Sequence, residues 1–138
     1  MMSKAKLSKS KRKSFRTSKN VFISFRYAFS GIKYTFENSR NFKIQVLLAF
    51  FSLIIGYVLR LDTSDYLILL VTIFSVLILE ILNTSIESLV DLVIKKKFSN
   101  LAKISKDCSA GAVLLASINS VIIGLYLFIP KINLLFLN

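Results

Sequence analysis

At 138 residues the chain has the length of one domain, and 54% of its residues are hydrophobic, with a mean hydropathy of +0.65. That composition excludes an ordinary soluble domain and is typical of a membrane protein. The formal charge of +12 would suggest a nucleic-acid partner if it covered a folded surface, but 12 of the 19 Lys and Arg residues lie in residues 1–43 and five in 95–106. This clustering follows the positive-inside pattern, so we predict that both basic blocks are cytoplasmic and that no nucleic acid binds.

The N-terminal part of the chain predicts a tail followed by a surface helix. Residues 1–20 carry eight Lys or Arg residues and no acid, which predicts a disordered tail. It would be attracted to anionic lipid headgroups, or it would serve only for solubility and orientation. Residues 21–36 place aromatic and aliphatic side chains on one helical face and basic or polar ones roughly opposite. This pattern favours an amphipathic helix lying in the membrane interface.

Three apolar segments then predict transmembrane helices, at about residues 43–61, 65–94 and 107–129. We expect residues 37–43 to turn the chain into the first of them, and residues 98–106 to link the second to the third. The third should stop at Pro130, which cannot continue a regular helix.

We therefore predict an all-α integral membrane domain over residues 21–132, with a short tail at 133–138. Three spans would place the two termini on opposite sides of the membrane, and the positive-inside pattern predicts a cytoplasmic N-terminus and an outer C-terminus. The single cysteine, Cys108, excludes an intrachain disulfide, and the absence of histidine excludes a His-based metal site or general base.

One face of the second span carries four polar side chains near its basic end: Glu80, Asn83, Glu87 and Asp91. At 100° per residue they fall within an arc of about 80°. Carboxylates beside such apolar sequence are costly to keep there, so this polar stripe predicts a functional site.

The residue types of the polar stripe allow three kinds of role. Carboxylates can hold Mg²⁺ on substrate phosphates, or act as general base for a hydroxyl, and Lys103 and Lys106 could meet phosphate charge, which together fit direct phosphoryl transfer. The same acids could instead carry protons or cations across the membrane. Alternatively, Glu80 and Asn83 could join helices by hydrogen bonds while Asp91 pairs with Lys95. Spacing alone leaves catalysis, transport and structural polarity open.

Three stretches resemble the prokaryotic diacylglycerol kinase family, which includes the undecaprenol kinases: EILNTSIESLVD at 80–91, KDCSAGAVLLA at 106–116, and YAFSGIKYTF at 27–36 with RNF at 40–42. The resemblance implies an interfacial helix and three transmembrane helices, assembled as a homotrimer whose subunits share active sites. It also implies phosphorylation of a lipid hydroxyl with ATP and Mg²⁺ in the inner membrane of a prokaryote. Diacylglycerol is the favoured substrate and undecaprenol the alternative.

At matching positions, the resemblance implies that Glu80 is the catalytic base and Glu87 a Mg²⁺ ligand. The other positions resemble supporting polar residues or nucleotide-binding residues of the family: Asn83, Asp91, Lys106, Asp107 and Tyr27. The family usually has a second metal-binding glutamate where this chain has Ser39, and Glu37 is the nearest candidate to replace it. Other departures from the family's Arg, Lys and His are found at Asn20, Ile23 and Ser99.

Overall fold

The structure is a computed structural model that describes residues 21–95 and 97–136, so the predicted basic tail lies outside the described residues. The described chain folds into four helices: α1 Val21–Asn38, α2 Arg40–Val58, α3 Thr63–Ile94 and α4 Asn100–Phe136. The last three are long and apolar enough to cross a membrane. At 1.5 Å per residue, α2 is about 28 Å long and α3 about 48 Å, against a hydrocarbon core of about 30 Å. The prediction of an all-α integral membrane protein is confirmed.

The chain divides after Lys33 into two units, and α1 runs across that division. In the first unit, the aromatic face predicted for α1 is exposed at Phe22, Phe25 and Phe29. An exposed aromatic face suits a helix in contact with lipid headgroups and acyl chains. Its location in the membrane interface stays a prediction.

In the second unit, α3 is the central helix and packs along both α4 and α2. The Tyr66 hydroxyl donates to the Leu53 carbonyl at 2.7 Å, which joins the start of α3 to the end of α2 and shows that the two helices run antiparallel. Few side chains are buried in the described chain, and nearly half of them are polar: Phe42, Leu69, Val76, Val113 and Leu127 are apolar, and Thr35, Thr72, Glu80 and Asn83 are polar. Most apolar side chains face outward, as expected where the solvent is lipid.

The predicted turn at residues 37–43 is wrong, because Ser39 alone separates α1 from α2. Ser39 has extended backbone angles (φ −94°, ψ 119°), and its hydroxyl accepts a hydrogen bond from the Phe42 N–H at 3.1 Å, so it is the N-cap of α2. The rings of Phe36 and Phe42 pack edge to face across this break, with centroids 6.4 Å apart. One capping residue therefore suffices where we expected a seven-residue turn.

The helix that contains the third predicted span extends past both predicted limits, residues 107 and 129. The predicted link at residues 98–106 is wrong, because α4 already begins at Asn100. At the other end, the helix continues through Pro130 to Phe136 instead of stopping. Proline removes a single N–H donor, whereas ending the helix within an apolar environment would leave several backbone groups without partners.

An ion pair joins the start of α3 to α4, at the end of α3 that lies away from the polar stripe. Lys131 of α4 donates to the carboxylate of Asp62 at 2.8 Å. Asp62 is the N-cap of α3, but its carboxylate does not bond to the N–H groups of that helix. Hydrogen bonding and charge attraction from Lys131 lower the pKa of Asp62 below its ordinary value of 3.8.

We expect this ion pair to give a small, pH-dependent contribution to stability. Because the folded pKa is lowered, the contribution is complete above 3.8 and is lost as the pH falls through the lower, folded value. The Asp62→Asn variant should therefore unfold at a lower temperature than the wild type in detergent at pH 7, and the difference should vanish under strongly acidic conditions. The same substitution in a Lys131→Met background should have no pH-dependent effect, and a persistent difference there would contradict the pairing.

Candidate active site

Glu80, on the polar stripe of α3, is buried with 2% of its surface exposed. Both carboxylate oxygens accept hydrogen bonds from the α2 side. The Ser39 hydroxyl donates to Oε1 at 2.7 Å, and the Gln45 amide Nε2 donates to Oε2 at 3.3 Å. Two donors are what an ionised carboxylate requires, since it can only accept. The α2 side chains therefore hold Glu80 in a fixed orientation.

Asn83 joins the next part of the stripe to α4. Its amide nitrogen donates to Glu87 Oε1 at 3.1 Å, and its oxygen accepts from the Ser109 hydroxyl at 2.6 Å. The Lys106 carbonyl lies 2.9 Å from the same hydroxyl oxygen, so the single hydrogen of Ser109 has two acceptors within reach. The amide thus fixes one oxygen of Glu87 and joins α3 to α4, as the structural alternative for Asn83 required. Its role in the candidate site stays a prediction.

Asp91, the last residue of the stripe, is paired with Lys106 of α4 at 2.6 Å rather than with Lys95, so the alternative Asp91–Lys95 pair is wrong. Lys95 has a left-handed backbone (φ 46°) and ends α3, so it does not continue the helical row that an i+4 pair requires. Lys106 and Asp107 also line a hollow of about 220 Å³ beside the link, together with Lys97 and Lys103. This end of α4 therefore offers several ammonium groups for phosphate.

Two grooves meet at the stripe. The polar groove, about 360 Å³, lies between the α1–α2 joint and the end of α3, and its walls include Ser39, Arg40, Asn41, Glu87 and Asp91. The interhelical groove, about 340 Å³, lies between α2, α3 and α4, and its walls include Gln45, Leu48, Glu80, Asn83 and Leu114. Glu80 thus lies on the wall of a largely apolar groove, one hydrogen bond away from a charged and solvent-exposed one.

The structure brings together most, but not all, of the predicted site residues. Glu80 and Asn83 share the interhelical groove, Glu87 and Asp91 share the polar groove, and Lys106 joins the latter through its ion pair. Tyr27 lies exposed in the first unit. Glu37 is exposed near the end of α1, and it is not among the described residues that line the polar groove.

The sequence does not reveal the part that three residues play in this network: Ser39, Gln45 and Ser109. Ser39 differs from the family pattern, and Ser109 has the size of a packing residue. Gln45 offered the clearest signal, because a lone amide within an apolar segment needs a hydrogen-bonding partner. Its Oε1 is buried and has no partner within the described residues.

We expect Asn83→Ala to destabilise the second unit by about 2 kcal/mol, since it breaks two hydrogen bonds and opens a cavity in a buried position. The measurement is the free energy of unfolding in mixed detergent micelles. Asn119→Ala, which truncates an exposed Asn of the same helix pair, is the matched control and should change stability little. Equal effects of the two substitutions would show that the Asn83 network contributes nothing.

Comparison with known proteins identifies the lineage of this site. The profile of the family described as prokaryotic diacylglycerol kinase matches residues 26–128. A diacylglycerol kinase of Synechocystis is 41% identical over 122 residues, covering 88% of this chain and 70% of the relative. An undecaprenol kinase of Bacillus subtilis is 41% identical over 111 residues, covering 80% and 89%. A diacylglycerol kinase of Escherichia coli K12 is 30% identical over 96 residues, covering 70% and 78%. With three apolar helices and a buried glutamate, Glu80, on its polar stripe, the chain belongs to the prokaryotic diacylglycerol kinase family.

Proposed function

We propose that this protein is a membrane lipid kinase that transfers the γ-phosphate of ATP to the hydroxyl of diacylglycerol, giving phosphatidate. The observation that carries the proposal is the position of Glu80. Its buried carboxylate lies on the wall of the interhelical groove, whose apolar side chains suit a lipid, and next to the charged polar groove, which suits a nucleotide. A reaction between a lipid and ATP requires that juxtaposition.

In this mechanism Glu80 is the general base. It accepts the proton of the lipid hydroxyl as the hydroxyl oxygen attacks the γ-phosphorus, and ADP leaves. Ser39 and Gln45 keep its two oxygens in place, so the carboxylate does not need to reorient during the reaction. Asn83 positions Glu87 in the same way.

The residues present fit Mg²⁺ shared with a nucleotide. Within residues 21–95 and 97–136 no three acidic or Cys side chains are grouped closely enough to form a metal cage. Mg²⁺, however, is usually held by one or two carboxylates together with substrate phosphates. Glu87 keeps one carboxylate oxygen outside the Asn83 hydrogen bond and would be that ligand, with Glu37 as a second candidate. Bound Mg²⁺ would neutralise phosphate charge.

The nucleotide would be held by the charged residues around α4. Lys106 is already close to the polar groove through Asp91, and Lys103 and Asp107 lie beside it. Phosphate oxygens of ATP can replace the Asp91 carboxylate as partners of the Lys106 ammonium. Tyr27 is the further nucleotide contact that the family resemblance implies.

We place this enzyme in the inner membrane of a prokaryote, with its N-terminus in the cytoplasm. The two basic blocks, in residues 1–43 and 95–106, support this orientation. They would also attract anionic lipid headgroups. A homotrimer with shared active sites is part of the same proposal. It would cover outward-facing side chains that the isolated chain leaves exposed.

The test is phosphate transfer from radiolabelled ATP to diacylglycerol or undecaprenol, using purified protein in mixed micelles with Mg²⁺. We expect faster transfer to diacylglycerol. Undecaprenol is the second candidate because a relative named undecaprenol kinase is 41% identical to this chain. Transfer to neither lipid would reject the proposal, and ion flux in liposomes without ATP consumption would support the transport alternative.

A further inference from the structure

Ser39 stands between the two grooves, and its position bears on how the proposed reaction ends. Its side chain lines the polar groove, while its hydroxyl hydrogen is donated to Glu80, which lines the interhelical groove. The hydrogen bond is short, at 2.7 Å, and joins a buried carboxylate to a groove whose Asp91 side chain is 60% exposed. The inference below rests on the proposed function.

After each turnover the general base holds the proton of the substrate, and this proton must leave before the next substrate can react. Glu80 has 2% of its surface exposed, and a lipid in the interhelical groove would cover that wall. At Oε2 the neighbour is the Gln45 amide nitrogen, which donates a hydrogen bond but has no lone pair to take up a proton. The route through Oε1 leads to a hydroxyl, which can both accept and donate.

We propose that Ser39 relays the proton from Glu80 to water in the polar groove. Once the proton resides on Oε1, the Glu80 O–H donates to Ser39 Oγ, and the Ser39 hydroxyl proton passes to water. The carboxyl O–H bond breaks, a new serine O–H bond forms, and one proton leaves, so Glu80 is again ionised and Ser39 unchanged. The Phe42 N–H holds Oγ through one lone pair, which leaves the second for this transfer.

Two substitutions separate the relay from the capping role of Ser39. Asn caps helices as well as Ser does, but its amide cannot pass a proton on. Thr keeps both the cap and the hydroxyl. We expect Ser39→Asn to lower kcat at least about tenfold with unchanged KM values, at the low end of acid–base effects, and Ser39→Thr to restore most of the turnover. Ser75→Ala is the control, because Ser75 is exposed and, among the described residues, its hydroxyl donates to the Val71 carbonyl of its own helix.

The decisive readout is the first turnover, measured by rapid quench with diacylglycerol in micelles. In the proposed mechanism Glu80 takes up a proton only during the first turnover, so a defect in proton exit should leave the first turnover of Ser39→Asn at the wild-type rate and slow only later ones, giving a burst of about one product per site. A first turnover slowed as much as kcat would overturn the relay in favour of a positioning role, and unchanged kcat would overturn it outright. Failure of the proposed function is distinguishable, since the wild type itself would then transfer no phosphate.

Discussion

Glu80→Gln should abolish phosphate transfer, with a loss of about 10²–10⁴-fold in kcat, while the protein keeps its fold. The amide has the shape of the carboxylate but cannot accept the substrate proton. Its NH₂ group can donate a hydrogen bond to the Ser39 hydroxyl oxygen or to the buried Gln45 Oε1, which has no partner among the described residues. The hydrogen-bond network therefore has a satisfactory arrangement for Gln, and the loss should be one of chemistry.

The measurement is initial-rate kinetics in mixed micelles, paired with thermal unfolding of the same preparations. Asp65→Asn is the matched control for losing one carboxylate, because Asp65 lies in the first turn of α3, far along the helix from the site. Its turnover should equal that of the wild type. If Glu80→Gln keeps its turnover, Glu80 is not the base and the mechanism fails at its first step.

Glu87→Gln should raise the Mg²⁺ concentration that gives half-maximal turnover by about tenfold or more, the scale on which loss of a single metal-site interaction is felt. Glutamine can still accept the hydrogen bond from Asn83, so its side chain should stay in place. The missing negative charge, however, weakens a ligand for a hard cation. Saturating Mg²⁺ should recover much of the activity, which distinguishes this variant from Glu80→Gln.

Mg²⁺ titrations at fixed, saturating ATP provide the measurement. Ser88→Ala is the control, since Ser88 lines the same polar groove but bonds to the Thr84 carbonyl within α3. An unaltered Mg²⁺ dependence in Glu87→Gln would remove Glu87 from the metal site. It would then leave Asp91 or Glu37 as the carboxylate to test.

The helices and the polar stripe could be predicted because each depends on a residue pattern within one segment of the sequence. Runs of apolar residues gave three spans, and the spacing of Glu80, Asn83 and Glu87 gave their common face. The predicted helix boundaries were wrong where the actual boundary depends on a single residue. Ser39 caps α2 with its own hydroxyl, and Pro130 is accommodated because the surrounding helix keeps its other hydrogen bonds.

The partners of the stripe could not be predicted, because periodicity assigns a face but not the helix that packs against it. Glu80 accepts a hydrogen bond from Ser39 at the start of α2, whereas Asn83 accepts one from Ser109 of α4, although Glu80 and Asn83 are only three residues apart. Gln45 illustrates the same limit. Its sequence context showed that it needed a partner, but the choice of Glu80 depends on the register between α2 and α3, which only the packed structure supplies.

Because the second unit buries few side chains, most of its apolar residues can be exchanged during evolution without disturbing its packing. A hydrocarbon solvent accepts Leu, Ile, Val or Phe with little preference for shape, so drift among them on the outward faces should be nearly silent. The buried polar residues have no such freedom, because each satisfies a named neighbour: Glu80 with Ser39 and Gln45, and Asn83 with Ser109. Exchanges at the hydrogen-bonded positions, by contrast, would have to keep a donor or an acceptor for each neighbour.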